Sequence, residues 1–136
     1  MIQENKELLL RDLCARLPYG VRGERIWTAP VSGSPEKGIY VFDTFDINVL
    51  TTGYYDCGEY GFREVRNYSF KPYLFPLSSI TEEQSKIYHE LIGGMFGTGV
   101  LVNLEILIDW LNKNHFDYRG LIEKGLAIDA TNLNIY

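Results

Sequence analysis

Cysteine is scarce in this chain: Cys14 and Cys57 are the only two in 136 residues. Two thiols cannot build a disulfide framework, and their separation is not that of a metal site. Long apolar runs are missing too. The longest, MFGTGVLVNLEILI, is interrupted by Asn103 and Glu105 and is too short to span a bilayer. The opening MIQENKELLLRDLC places charges where a signal peptide needs an apolar stretch. There is no basic stripe either: 13 Lys and Arg are scattered among 18 Asp and Glu, for a formal charge of −5. That balance disfavours a partner with a phosphate backbone. The absences together lead to the expectation of a cytoplasmic protein in a reducing compartment, with no membrane association.

What the chain does have is apolar and aromatic side chains. Hydrophobic residues make up 46% and aromatics 14%, with ten Tyr, enough for a core with aromatics left over at the surface. One domain over residues 1–136 is expected. Its first part, residues 1–17, reads as a helix. Leu9, Leu13 and Leu17 with Leu10 and Cys14 predict one apolar stripe. Glu7 with Arg11 and Asp12 with Arg16 predict ion pairs at i,i+4 on the wet face. Pro18 ends the helix.

Residues 20–75 change to strand-like patterns. VRGERIWTA predicts one strand and SGSPEKG a loop. In GIYVFDTFDINVL, Ile39, Val41, Phe45, Ile47 and Val49 share one parity, which predicts a half-buried strand, or a hairpin turning at Asp46-Ile47-Asn48. YGFREVRNYS alternates again. FKPYLFPL carries two prolines, which predicts no more than an edge strand. The sum is a small, bent antiparallel sheet of four or five strands, with an SH3-like barrel as one form it can take.

Residues 79–127 read as helical and 128–136 as a tail. Thr81 and Gln84 have the spacing of a capping box, Ile87, Tyr88, Leu91 and Ile92 form an apolar face, and Gly93-Gly94 end that helix. A second helix, from Asn103 to about Asn114, has so broad an apolar surface (Leu104, Ile106, Leu107, Ile108, Trp110, Leu111) that it is expected to be largely buried. The cluster Trp110, His115, Asp117, Tyr118, Arg119 then reads as a structural corner rather than a reactive site. Lys113 and His115 sit where a helix C-terminus favours cations, and Asp117 is placed to cap a short helix that stops at Gly125. Tyr118 and Arg119 are expected to reach solvent.

No catalytic constellation is complete. His89-Glu90 begins the His-Glu-x-x-His zinc pattern, but position 93 is Gly, so no metal is expected. GGMFGTGV lacks the lysine of a Walker loop and follows a helix rather than a strand, so it reads as a connection. Cys57 has no neighbouring base. Asp43 and Asp46 are acidic residues of an ordinary kind beside a turn. No cofactor is expected.

Three segments, LLLRDLCARLPYGV, KPYLFPLSSITEEQ and IDWLNKNHFDYRGLIEKGLA, taken in this order resemble an uncharacterised family widespread in gut Bacteroidales, often encoded near prophage or other mobile-element genes. The resemblance covers both ends and the proline-rich middle. It implies a bacterial or phage cytoplasmic protein and supports the order helix, small sheet, helices; it implies no activity. The strand region is the variable part of that family, so no functional residue carries over from it, and GGMFGTGVLVNLEIL is more apolar than the usual linker there.

Two functions from different classes fit this pattern. One is a non-catalytic interaction module in which Tyr54, Tyr55, Tyr60 and Phe62 hold a protein or peptide, since rigid aromatics contribute contact area at low entropy cost; the competing explanation is that these rings are the sheet's own core and rim. The other is a nucleic-acid binder built on a small barrel. It requires the fold to gather Arg22, Arg25, Arg63, Arg66 and Lys71 on one face despite the interleaved Glu24, Asp56, Glu59 and Glu64. An enzyme ranks third.

Overall fold

A computed structural model describes residues 1–94 and 100–136 of the chain, so the Gly-rich connection around residues 95–99 lies outside the described residues. Those residues form an α+β fold that opens with helix α1 (Gln3–Arg16) and continues through strands β1 (Arg22–Thr28) and β2 (Pro35–Val41). Helix α2 (Thr44–Thr52), hairpin β3 (Tyr54–Asp56) and β4 (Phe62–Glu64), and the long strand β5 (Arg66–Pro76) follow. Helices α3 (Glu82–Gly94) and α4 (Val100–Lys113) and the two-residue strands β6 (Phe116–Asp117) and β7 (Ile128–Asp129) complete it.

The main sheet runs β2-β1-β5-β6 with β7 also on β5, and β3-β4 forms a separate two-stranded sheet. β1 pairs antiparallel with β2 and β5, while β6 and β7 pair parallel with β5. The sheet is therefore mixed rather than purely antiparallel, and it is open, not an SH3-like barrel. The parallel strands arise where a helix and a tail were expected. Phe116 and Ile128 lie on β5 because the chain returns to the same end of that strand after the α4 corner.

One core gathers Leu9 and Leu13 of α1, Val21, Phe42, Leu50, Phe70, Leu74, Leu121 and Leu126; burying each large apolar side chain is worth roughly 2 kcal/mol. Gly23 sits under the Phe70 ring, where any Cβ would overlap it. A smaller cluster of Leu107, Leu111 and Phe116 packs with Phe75, Tyr88 and Trp110.

Several expectations need correction. Residues 42–49 do not continue the strand: β2 ends at Val41 and α2 starts at Thr44. Asp43 accepts from Phe45 N–H, Asp46 accepts from Asp43 N–H, and Gly53 closes the helix in the left-handed conformation; a reciprocal cap and a C-terminal glycine outweigh an accidental parity of apolar residues. β5 pairs with β1 over Arg66–Pro72 and then takes β7 at Tyr73–Leu74 and β6 at Phe75–Pro76, so its proline-containing end is enclosed rather than an edge. Leu74 C=O accepts from Ala130 N–H, so Pro72, two residues earlier, turns its nitrogen to the same side, where pairing with β7 begins only at Tyr73. The proline costs no ladder bond there.

On α1 the buried face is Leu9, Asp12, Leu13 and Arg16, while Cys14 and Leu17 are exposed. The Asp12–Arg16 pair, expected in water, is wholly buried, with Arg16 Nε 2.8 Å from Asp12 Oδ2. α4 is less buried than its composition suggested: Leu107 and Leu111 are covered, Trp110 is half-buried, and Leu104 and Ile106 are exposed. Elsewhere the capping box holds, with Thr81 N–H donating to Gln84 Oε1 and Gln84 N–H to Thr81 Oγ1.

Candidate functional site

The β3–β4 hairpin pairs Tyr54 with Glu64 and Asp56 with Phe62. Only Tyr55 turns inward, its ring 4.8 Å from Phe45 of α2 in an edge-on contact. Tyr54, Tyr60 and Phe62 are 49%, 53% and 74% exposed. Of the four aromatics read from the sequence, three are thus exposed, Tyr54 and Phe62 on the strands and Tyr60 in the turn between them, and the fourth packs against α2.

Beside the hairpin lies a cleft of about 440 Å³ lined by Thr28, Ala29, Pro30, Gly33, Phe62, Arg63, Glu64 and Arg66. Its shape follows from the backbone. The β1–β5 register shifts between Ile26 and Thr28, and Asn67 takes a left-handed conformation with φ 56° while its amide donates to Thr28 Oγ1. This bulge parts the strands and aims Arg66 towards the β1–β2 turn. Arg63 is oriented by donating Nε–H to the Tyr60 carbonyl, and Arg66 lies 3.8 Å from Glu64.

The remaining sheet cations are not gathered here. Arg25 is buried, donating from Nε and Nη2 to Asp46 at 2.9 and 2.5 Å and reaching Asp43 at 3.2 Å. Its guanidinium is boxed by the rings of Tyr40, Phe45 and Trp27 at 4.3, 4.8 and 5.5 Å. Burial works against its charge, but the bonds to Asp46 prevail and hold Arg25 above its usual range. Tyr68 also donates to Asp46, at 2.7 Å; burial first, then that carboxylate, pushes the phenol far up. Arg22 donates to the Ile135 carbonyl. The sequence hid this network, because nothing distinguishes Asp43 and Asp46 until α2 sets them against β1.

The corner cluster is tightly knit. Trp110 stacks on Phe116 with ring centroids 5.6 Å apart. Asp117 accepts from Leu121 N–H and Ile122 N–H, both at 2.9 Å, and the segment it holds is a series of turns rather than the expected short helix. Tyr118 donates to Asn112 Oδ1. Arg119, expected in solvent, reaches inward, its Nε 3.3 Å from the buried Asp12. His115 has φ 61° and is buried. Burial, then Arg16 and Arg22, lowers its pKa to about 4, so it is a neutral ring and not a cation serving the helix end. His89 is exposed on α3, with Nδ1 2.7 Å from the Ser85 carbonyl. Among the described residues, no three His, Cys, Asp or Glu side chains converge as a metal site requires.

Compared with protein-family models, with curated proteins and with solved structures, the chain matches none of them.

Proposed function

We propose that the protein is a non-catalytic interaction module that holds a protein or peptide partner on the β3–β4 hairpin and its adjoining cleft. The observation that carries this reading is the exposure of Tyr54 and Phe62 on the two-stranded sheet outside the main one, and of Tyr60 in the turn that joins its strands. Large rigid rings left in water beside a concave, arginine-bearing surface have the composition of an interface centre. The nucleic-acid reading is weaker, since Arg25 is consumed by Asp46 and Arg22 by the C-terminal segment, which leaves only Arg63 and Arg66 together in the cleft, with Glu64 between them. The resemblance of the end segments to mobile-element-associated proteins supports a role in the bacterial or phage cytoplasm. No helix among the described residues is long and apolar enough to cross a membrane.

A photo-crosslinking residue placed at Phe62, in the host cell, tests the reading. A discrete crosslinked partner is expected, lost on Tyr54→Ser/Tyr60→Ser with unchanged circular dichroism. Crosslinking no stronger than at the control position Lys37 overturns it, and crosslinking to RNA or DNA selects the nucleic-acid reading.

A further inference from the structure

The cleft beside the hairpin has unused backbone along one wall. Cys57 N–H donates to Gly61 C=O and Val65 N–H to Gly53 C=O, and these two bonds set the phase of the β3–β4 ladder. Between them the Tyr55–Arg63 pair exchanges hydrogen bonds, while the Tyr54–Glu64 and Asp56–Phe62 pairs turn their N–H and C=O groups away from each other. β4 pairs with β3 alone, so the N–H and C=O of Phe62 and Glu64 point off the outer edge of the hairpin. They have no backbone partner among the described residues. Phe62, Arg63 and Glu64 line the cleft as consecutive residues, and a strand whose side chains alternate between faces does so along its edge. All three are exposed, so this edge is open.

The charge of the cleft is opposite to that of the chain. Arg63 and Arg66 line it with Glu64 as the accompanying carboxylate, in a chain whose formal charge is −5. Arg63 commits its Nε–H to the Tyr60 carbonyl and keeps its Nη groups for a partner. Arg66 has Glu64 beside it at 3.8 Å, with the two side chains 75% and 59% exposed. That separation is longer than a hydrogen bond, and an ion pair so open to water is readily exchanged for another.

Resting on the interaction reading and giving its partner a chemistry, we infer that the cleft receives an extended peptide that adds to the outer edge of β4 and alternates acidic with apolar residues. The outward N–H and C=O groups of Phe62 and Glu64 stand at strand spacing, which another extended backbone matches donor for acceptor. Directly opposed residues share a face of a sheet. Peptide residues opposite Phe62 and Glu64 therefore lie on the face of the Phe62 ring, and the residues between them lie on the Arg63 face. Apolar side chains suit the first set. Carboxylates suit the second, because a guanidinium binds them through paired hydrogen bonds. A free carboxylate or phosphate satisfies the guanidiniums but leaves the backbone groups unmatched, and a nucleic acid stacking on Phe62 has the same deficit.

Titration of the ¹⁵N-labelled protein with acetyl-Asp-Ile-Asp-Ile-Asp-amide tests the inference. The Phe62 and Glu64 amides should move downfield saturably and exchange more slowly, while the Arg63 amide, already bonded to Tyr55, changes little. Arg63→Glu/Arg66→Glu should weaken binding about tenfold or more. Glu64→Pro removes one outward N–H at a position where an edge strand tolerates proline, and it should abolish binding with the rest of the amide spectrum retained. Glu64→Gln keeps that N–H and frees Arg66, so it should bind at least as tightly as the wild type. Equal binding of the asparagine analogue, unmoved Phe62 and Glu64 amides, undiminished binding by Glu64→Pro, weaker binding by Glu64→Gln, or no binding at all each overturns it. So does binding of acetate, phosphate or oligothymidylate where the peptide does not bind. A partner that crosslinks at Phe62 equally well with and without Glu64→Pro overturns the added strand and leaves the hairpin reading standing, whereas the absence of any crosslink removes both.

Discussion

The imidazole of His115 lies flat against the phenol ring of Tyr136, with centroids 3.6 Å apart and planes 10° from parallel. The same phenol accepts from Arg22 N–H at 2.9 Å and donates to Tyr73 C=O at 2.7 Å. It thus supplies the rung that β1 and β5 lack beyond the Gly23–Pro72 pair. Burial pushes the Tyr136 phenol up to about 12, so it remains a donor at every pH of interest. His115 buries its Nδ1 with no partner and has the cations Arg16 and Arg22 as its charged neighbours.

Protonation of His115 should therefore loosen the C-terminal segment. Its pKa falls from 6.5 to about 4 on folding, so the native state prefers the neutral ring. The stabilisation is complete above pH 6.5 and is lost progressively as pH falls towards 4; the shift corresponds to about 3 kcal/mol at most. Denaturant midpoints measured from pH 7 to pH 4 should show this slope. His115→Asn should flatten it, since Asn tolerates the left-handed backbone and does not titrate. An unchanged slope in that variant contradicts the assignment.

The Arg25–Asp46 pair is the second place to press. Both side chains are buried, and Asp46 also serves Tyr68 and the cap of α2. Asp46→Ala should cost about 3–5 kcal/mol, because it strands a buried guanidinium. The double variant Arg25→Met/Asp46→Leu should recover a large part of that loss, since apolar replacements remove both desolvation penalties. If the double variant is as unstable as Asp46→Ala, the α2 cap and the Tyr68 hydrogen bond, rather than the ion pair, account for most of what Asp46 contributes.

Element type was legible wherever local chemistry acts alone: the stop at Pro18 and the Thr81–Gln84 capping box. It was not legible where two local signals compete. Ile39, Val41, Phe45, Ile47 and Val49 keep strand parity, yet Asp43 and Asp46 cap a helix inside the same run. Partnerships distant in sequence were hidden as well. Asp12 and Arg16 have the spacing of a surface pair, and only the return of Phe116, whose carbonyl accepts from Arg16, puts them inside. Of the aromatic candidates, the residue types marked the hairpin, but the pairing of β3 with β4 decides which rings face out.

The corner provides the last prediction. Asp117 satisfies two backbone donors that have no other acceptor, so Asp117→Ala should cost about 2–3 kcal/mol, above the usual cost of losing a single cap bond. Asp117→Asn retains one acceptor oxygen and should lie between it and the wild type. Trp110→Ala should cost about 2–4 kcal/mol: the stack on Phe116 is lost, but the side chain is only half-buried, so water can fill part of the space it leaves. Arg119→Ala should be destabilising as well, since it removes a cation beside the fully buried Asp12. Urea denaturation of the four variants tests this order. The corner is scaffold if midpoints fall as stated while partner crosslinking at Phe62 persists. An Asp117→Ala protein with an unmoved midpoint and lost crosslinking would instead place Asp117 in the binding surface.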